Sequence, residues 1–220
     1  METSESNIIK VAVTGGAGSG KTLVCNHLKK LGANVISSDA IAREAVSQNS
    51  PAYNNIVNYF GKRVLLSDGN LNRQMLRRII INNDTDRLAL EKIIHPEITK
   101  KVMLKVAQAK QADDPIVLLE IPLLFELGME NQFNTVIMIS TERKLRIKRL
   151  MNRDNVTRNE AEKLINVQMP DEVKVERAQF VLTNNGSKKQ LTNSVDILYK
   201  NIQKMNKKNL KPLDSHKIMI

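Results

Sequence analysis

The chain has 220 residues, 41% of them apolar and 26% charged, with a formal net charge of +11. That length supports one sizeable core with appendages. The single cysteine, Cys25, excludes an internal disulfide framework, fits a reducing compartment and reads as a small core residue. Residues 1–7 are acidic and polar, and the most apolar later stretch, residues 116–125, is broken by Glu120 and Pro122. No export signal or membrane span is visible, so a cytoplasmic location is expected.

The positive charge sits in two places. Residues 187–220 hold eight lysines against two aspartates, net +6, and residues 142–158 hold seven basic against two acidic residues, net +5. A phosphate-handling cluster and a lysine-rich tail therefore account for the imbalance without a basic face spread over the fold.

Ile8, Ile9, Val11, Ala12 and Val13 form an apolar run of buried-strand length. Gly15-Gly-Ala-Gly-Ser-Gly-Lys-Thr22 follows and fits G-x-x-x-x-G-K-[ST] at every fixed position. Glycines let successive backbone N–H groups turn inward around a phosphate chain, and the next helix adds positive charge at its N-terminus. Lys21 is placed to reach the β- and γ-phosphates, and the Thr22 hydroxyl to ligate Mg²⁺. Leu23, Val24, Leu28 and Leu31 then recur at helical spacing. The segment predicts a bound nucleoside triphosphate. A glycine-rich turn with no ligand is the bland alternative. A dinucleotide reading fails, because G-x-G-x-x-G begun at Gly16 needs glycine where Lys21 stands.

Further strands are expected at 34–36, 116–121, 135–139 and 180–182, alternating with longer helical patterns. This is the pattern of a parallel sheet covered by helices. The gap over residues 39–111 is too long for one crossover helix and reads as an inserted helical lobe. Ligands of such sheets bind outside the strand C-terminal ends. Asp39 follows the second strand, where a carboxylate could accept the proton of an acceptor hydroxyl, or simply cap the helix starting at Ala40. His95-Pro96 reads as a helix boundary. Glu120 ends the third strand, where phosphate-loop proteins often place an acidic residue near Mg²⁺; a solvated or paired carboxylate is the favoured reading. Arg143, Arg146, Arg149 and Arg153 recur at helical spacing, and Thr157-x-x-Glu160 opens a second helix with a capping box. Residues 142–168 therefore read as a lid able to bring guanidinium groups onto phosphates. A final helix carries Leu191, Val195, Leu198, Tyr199 and Ile202, and a frayed basic tail is expected over 205–220.

Residues 14–22, Ser38-Asp-Ala-Ile-Ala-Arg43, His95-Pro96, Ile121-Pro-Leu-Leu-Phe-Glu126, Arg149-Leu-Met-Asn-Arg153, Gln168-Met-Pro170 and Asn184-Asn-Gly186 resemble, in order and separation, the dephospho-CoA kinase family. The resemblance covers residues 8–186. It implies an α/β fold of phosphate-loop kinase type: a five-stranded parallel sheet flanked by helices, with a core over 8–38 and 112–204, a substrate lobe over 39–111 and a flexible start over 1–7. It implies transfer of the ATP γ-phosphate to the 3′-hydroxyl of dephospho-CoA. The implied catalytic residues are Asp39, Lys21 and Arg149. Nucleotide contacts fall on Gly16, Ala17, Gly18, Ser19, Gly20, Lys21, Thr22, Leu23, Arg149 and Arg153, with Thr22 on Mg²⁺. Substrate contacts fall on Asp39, Arg43, His95, Pro122 and Leu123. The chain departs from the family pattern at Ser37, Glu120, Gln179 and Thr183, where the family usually has aspartates.

A nucleoside monophosphate kinase would share the loop and lid. A GTP switch would need Asn-Lys-x-Asp, which the chain lacks. A nucleic-acid-binding module rests on charge alone, and aromatic residues make up only 3% of the chain, leaving few stacking platforms. Specific nucleic-acid and membrane partners are not expected, and the sequence leaves the oligomeric state open.

Overall fold

Strand β1 (Ile9–Gly15) carries the apolar run Ile9, Val11, Ala12 and Val13, each 0% exposed, and pairs in parallel on both sides. A strand flanked on both edges and covered on both faces has no side for polar alternation, which is why Val11, Ala12 and Val13 at its centre are continuously apolar. The computed structural model describes residues 8–111, 116–206 and 218–219. The expected flexible start at 1–7 and most of the expected basic tail lie outside the described residues.

Around β1 the sheet runs β2-β3-β1-β4-β5-β6, with β2 at Asn34–Ser37, β3 at Ile116–Glu120, β4 at Thr135–Ser140, β5 at Phe180–Thr183 and β6 at Ile218–Met219. Register sets Val11 opposite Leu118 and Thr135, and Ile139 opposite Leu182. All five expected strands are present. The chain end adds the sixth, a two-residue edge strand beside Phe180 and Val181, where a frayed tail was expected. Ile218 and Met219 supply the β-compatible pair that the lysine count conceals.

Helices α1 (Lys21–Lys30) and α9 (Lys188–Asn206) bury Val24, Cys25 and Leu28 together with Leu191, Val195, Leu198 and Ile202 against β1, β3, β4 and β5. The spacing of the α9 residues is that of one helical stripe. Leu31, read as part of the α1 stripe, instead stands at its C-cap and is 38% exposed.

Ser37–Ala107 forms a second compact unit. It holds α2 (Ser38–Ala45), α3 (Pro51–Phe60), α4 (Arg73–Asn82) and most of α5 (Asp84–Gln111). Its core is Ile56, Phe60, Val64, Leu71, Leu76 and Leu90. One non-helical feature interrupts the expected helices: Leu65 and Leu71 form an antiparallel bridge closed by a turn, in which Asp68 Oδ1 accepts the Asn70 N–H at 2.9 Å and Gly69 has φ +82°. Aspartate followed by a left-handed glycine is a turn signal within an otherwise helical stretch. Lys101 and Glu44 tie α5 to α2 at 2.8 Å.

Pro96 lies inside α5, so His95-Pro96 is not the helix boundary that the sequence suggested. Proline removes its own N–H bond to the carbonyl of Lys92, but Lys92 and Pro96 are both exposed, and water can take over that carbonyl.

Candidate active site

The end of β1 turns into α1 through Gly16 to Gly20, and the turn needs glycine at particular points. Gly18 has φ +76° and Gly20 φ +95°. A Cβ on Gly18 would lie 2.8 Å from the Arg146 carbonyl, and one on Gly20 would collide with the Asn184 side chain. The loop is therefore pressed between the sheet end and what packs over it. A helix's first-turn amides have no intrahelical acceptors, so the start of α1 is an anion-binding end. The Lys21 ammonium is turned back onto the loop, donating to the carbonyls of Gly15 at 2.6 Å and Gly16 at 3.0 Å.

Two helices cover the loop: α6 (Arg143–Asp154) and α7 (Arg158–Asn166), joined through Asn155 at φ +51°. The capping box at Thr157 and Glu160 is formed, fixing the start of α7. Ile147, Leu150, Ala161 and Ile165 make a small core between them, with Ala17 of the loop packed against it. The arginine stripe divides. Arg146, 4% exposed, donates from Nε to the Ala17 carbonyl at 2.8 Å and pairs with Asp171 at 2.7 Å. Arg149 points its guanidinium at the carbonyls of Gly18, Ser19 and Asn184, at 3.4, 3.5 and 3.0 Å. Arg143 bonds Asn166, and Arg153 pairs with Asp154 with its side chain 62% exposed. Arg153 remains an expected phosphate contact: on the last turn of α6 it pairs with its sequence neighbour.

Glu120 is 3% exposed, which excludes the solvated form of its expected reading. It accepts a hydrogen bond from the Thr22 hydroxyl at 3.2 Å. A hydroxyl and a carboxylate side by side at the phosphate loop are the hard oxygen donors that Mg²⁺ takes in small number beside phosphates and water. Pro122 opens the turn just beyond β3, its carbonyl 3.5 Å from the hydroxyl of buried Thr14, and Leu123 follows it in that turn, half-buried.

The Gly16–Leu23 segment, Arg149, Glu120, Pro122 and Leu123 all belong to the sheet-bearing unit; Asp39, Arg43 and His95 belong to the helical unit. Asp39 is the second residue of α2, whose N-cap is Ser37, so it is not the cap expected for a helix starting at Ala40. Arg43 is exposed on the last turn of α2. Burial pulls the His95 imidazole below its usual value of 6.5, opposed by the nearby Glu91 carboxylate. Gln179 accepts the Val136 N–H at 2.8 Å, bracing the strand ends, and Thr183 is exposed at the end of β5.

Two side chains that touch the loop were not read as site residues. Asn184, 4% exposed, donates from Nδ2 to the Ser19 carbonyl at 2.7 Å, and Gln168 Oε1 accepts the Ala17 N–H at 2.7 Å. Each lies in a short motif, Asn-Asn-Gly and Gln-Met-Pro, that carried resemblance but no stated chemistry. A cavity of about 450 Å³ opens beside them, lined by Thr141, Glu142, Arg143, Arg146 and Asn185 among others.

A parallel sheet with a glycine-rich loop, a lysine turned into it and arginines over it defines a phosphate-loop kinase. A family model for dephospho-CoA kinase matches residues 9–190, so the chain belongs to the dephospho-CoA kinase family. It is similar to a dephospho-CoA kinase of Bacillus licheniformis, 38% identical over 179 residues, covering 81% of this chain and 89% of that one. Among solved structures, a Thermus thermophilus protein, TT1252, superposes with a TM-score of 0.72 at 30% identity, over 89% of this chain and 98% of that one. A dephospho-CoA kinase from Campylobacter jejuni superposes at 0.65 and 27%, over 90% and 98%. No described helix is long and apolar enough to cross a membrane.

Proposed function

We propose that the chain transfers the γ-phosphoryl group of ATP to the ribose 3′-hydroxyl of dephospho-CoA, giving coenzyme A and ADP. The observation that carries this reading is the phosphate loop with Lys21 folded onto it, Arg149 over it and the Thr22–Glu120 pair beside it.

Bound phosphates take the place of the loop carbonyls as partners of the Lys21 ammonium, which then neutralises charge on the transferring group. The Arg149 guanidinium, already aimed at the loop, holds phosphate oxygens as a planar donor. Thr22 and Glu120 would hold Mg²⁺, which would supply charge neutralisation at the phosphates. Asp39 accepts the proton of the acceptor hydroxyl, and Arg43, His95, Pro122 and Leu123 are the residues assigned to contact the acceptor. The packing of α6 and α7 on Ala17 excludes water from the phosphates. A cytoplasmic site of action fits this substrate pair.

Asp39→Asn tests the acceptor side and Lys21→Ala the donor side. The first is expected to lower kcat by a factor on the order of 10²–10⁴ with little change in ATP affinity. The second is expected to abolish turnover in a folded protein. A rate near wild type in either variant contradicts the role assigned to that residue.

A further inference from the structure

We propose that Gln168 is a positioning residue for the phosphate loop: its side-chain carbonyl holds the Ala17 peptide in place and so sets the loop's fit to phosphates. Ala17 is gripped at both ends. Its N–H donates to Gln168 Oε1 at 2.7 Å, and its carbonyl accepts from Arg146 Nε at 2.8 Å. The two peptide units on either side of the Ala17 Cα are thus each held by one bond, so neither turns without breaking it, and Gly18 with its free torsions follows directly.

The grip is itself anchored. Met169, the next residue, donates its N–H to Glu126 Oε1 at 3.0 Å, and the same oxygen lies 2.6 Å from the ammonium of Lys174, a side chain 0% exposed. Asp171, at the start of α8 (Asp171–Arg177), holds Arg146 at 2.7 Å. Arg177 at the other end of α8 pairs with Glu130, and its guanidinium carbon lies 5.0 Å from the Phe125 ring centroid. Residues 168–177 are therefore fastened to the segment after β3 on one side and to the phosphate loop on the other. A buried lysine is costly unless paired. Here its partner is the carboxylate that orients the backbone beside Gln168, which gives the pair a positioning role.

The inference rests on the nucleotide-site reading above, and the experiment separates the two. Gln168→Met removes the acceptor oxygen at similar volume, and Gln168→Asn keeps a polar amide one methylene too short to reach. Binding of ATP and of inorganic tripolyphosphate is measured by calorimetry, alongside kcat, the KM for each substrate and Tm. Both variants are expected to weaken ATP and tripolyphosphate alike, by about tenfold, the scale of losing a partner for a part-buried amide. The KM for dephospho-CoA is expected to move less than about twofold.

Wild-type affinity for both ligands in a folded variant overturns the proposal. So does loss confined to ATP, which means contact with the nucleoside, or a fall in Tm and kcat with phosphate affinity intact, which means a structural role alone. Should Gln168→Met fail to fold, Gln168→Asn decides. Lys21→Ala is the control: if it binds tripolyphosphate as wild type does, the nucleotide-site reading itself fails.

Discussion

The Thr22 hydroxyl donates to the Glu120 carboxylate at 3.2 Å, joining the first turn of α1 to the last residue of β3. Glu120→Gln keeps the volume and an acceptor oxygen but removes the charge. It is expected to raise the Mg²⁺ concentration needed for half-maximal rate by about tenfold, with a smaller change at saturating Mg²⁺. Mg²⁺ titration of the initial rate checks this; an unchanged requirement assigns Glu120 to loop bracing alone.

The arginine stripe gives a contrast within one helix. Arg149→Ala is expected to lower kcat/KM by a factor on the order of 10²–10³, since a guanidinium on transferring phosphates is worth that much or more. Arg153→Ala removes a side chain that is 62% exposed and pairs with Asp154, and it is expected to lower kcat/KM by less than Arg149→Ala does. Equal losses at both positions in steady-state kinetics contradict the placement of α6.

His95 ties acid sensitivity to the helical unit. Its imidazole is held below 6.5 by burial, so the unfolded chain binds the proton more readily than the native one. Stability is then fully present above the unfolded value and is lost as pH falls below it. Wild-type Tm is expected to drop more than that of His95→Gln between about pH 7.5 and 5.5. A parallel pair of Tm curves contradicts this.

The chain end is expected to contribute to stability rather than to chemistry. Deleting residues 218–220 removes the β6 pairing with Phe180 and Val181. Tm is expected to fall, by about 2–4 °C for each kcal/mol lost, with KM for ATP unchanged. Unchanged Tm on deletion shows that the edge strand adds nothing.

Much of the architecture was legible because its signals are local. The run before Gly15, the α9 stripe and the Thr157–Glu160 box each follow from spacing within one element. What escaped depends on partners far along the chain. Gln168 meets Ala17 across 151 positions and Asn184 meets Ser19 across 165, and neither spacing leaves a periodic trace. The arginine stripe was visible as a stripe, but which members turn inward is fixed by Asp171, Asn184 and Asp154. The helix through Pro96 was missed because the local preference against it is overridden by the helix on either side.

The central claim is tested most directly by ADP release with ATP and dephospho-CoA, against AMP, GMP and shikimate as alternative acceptors, with the product identified by mass and by the position of its new phosphate. The account predicts turnover with dephospho-CoA on the order of 10²-fold or more above any other acceptor, the phosphate on the ribose 3′-oxygen, and no such product from Asp39→Asn at comparable rate. Faster turnover with AMP, GMP or shikimate, or phosphorylation of dephospho-CoA at another position, would contradict it.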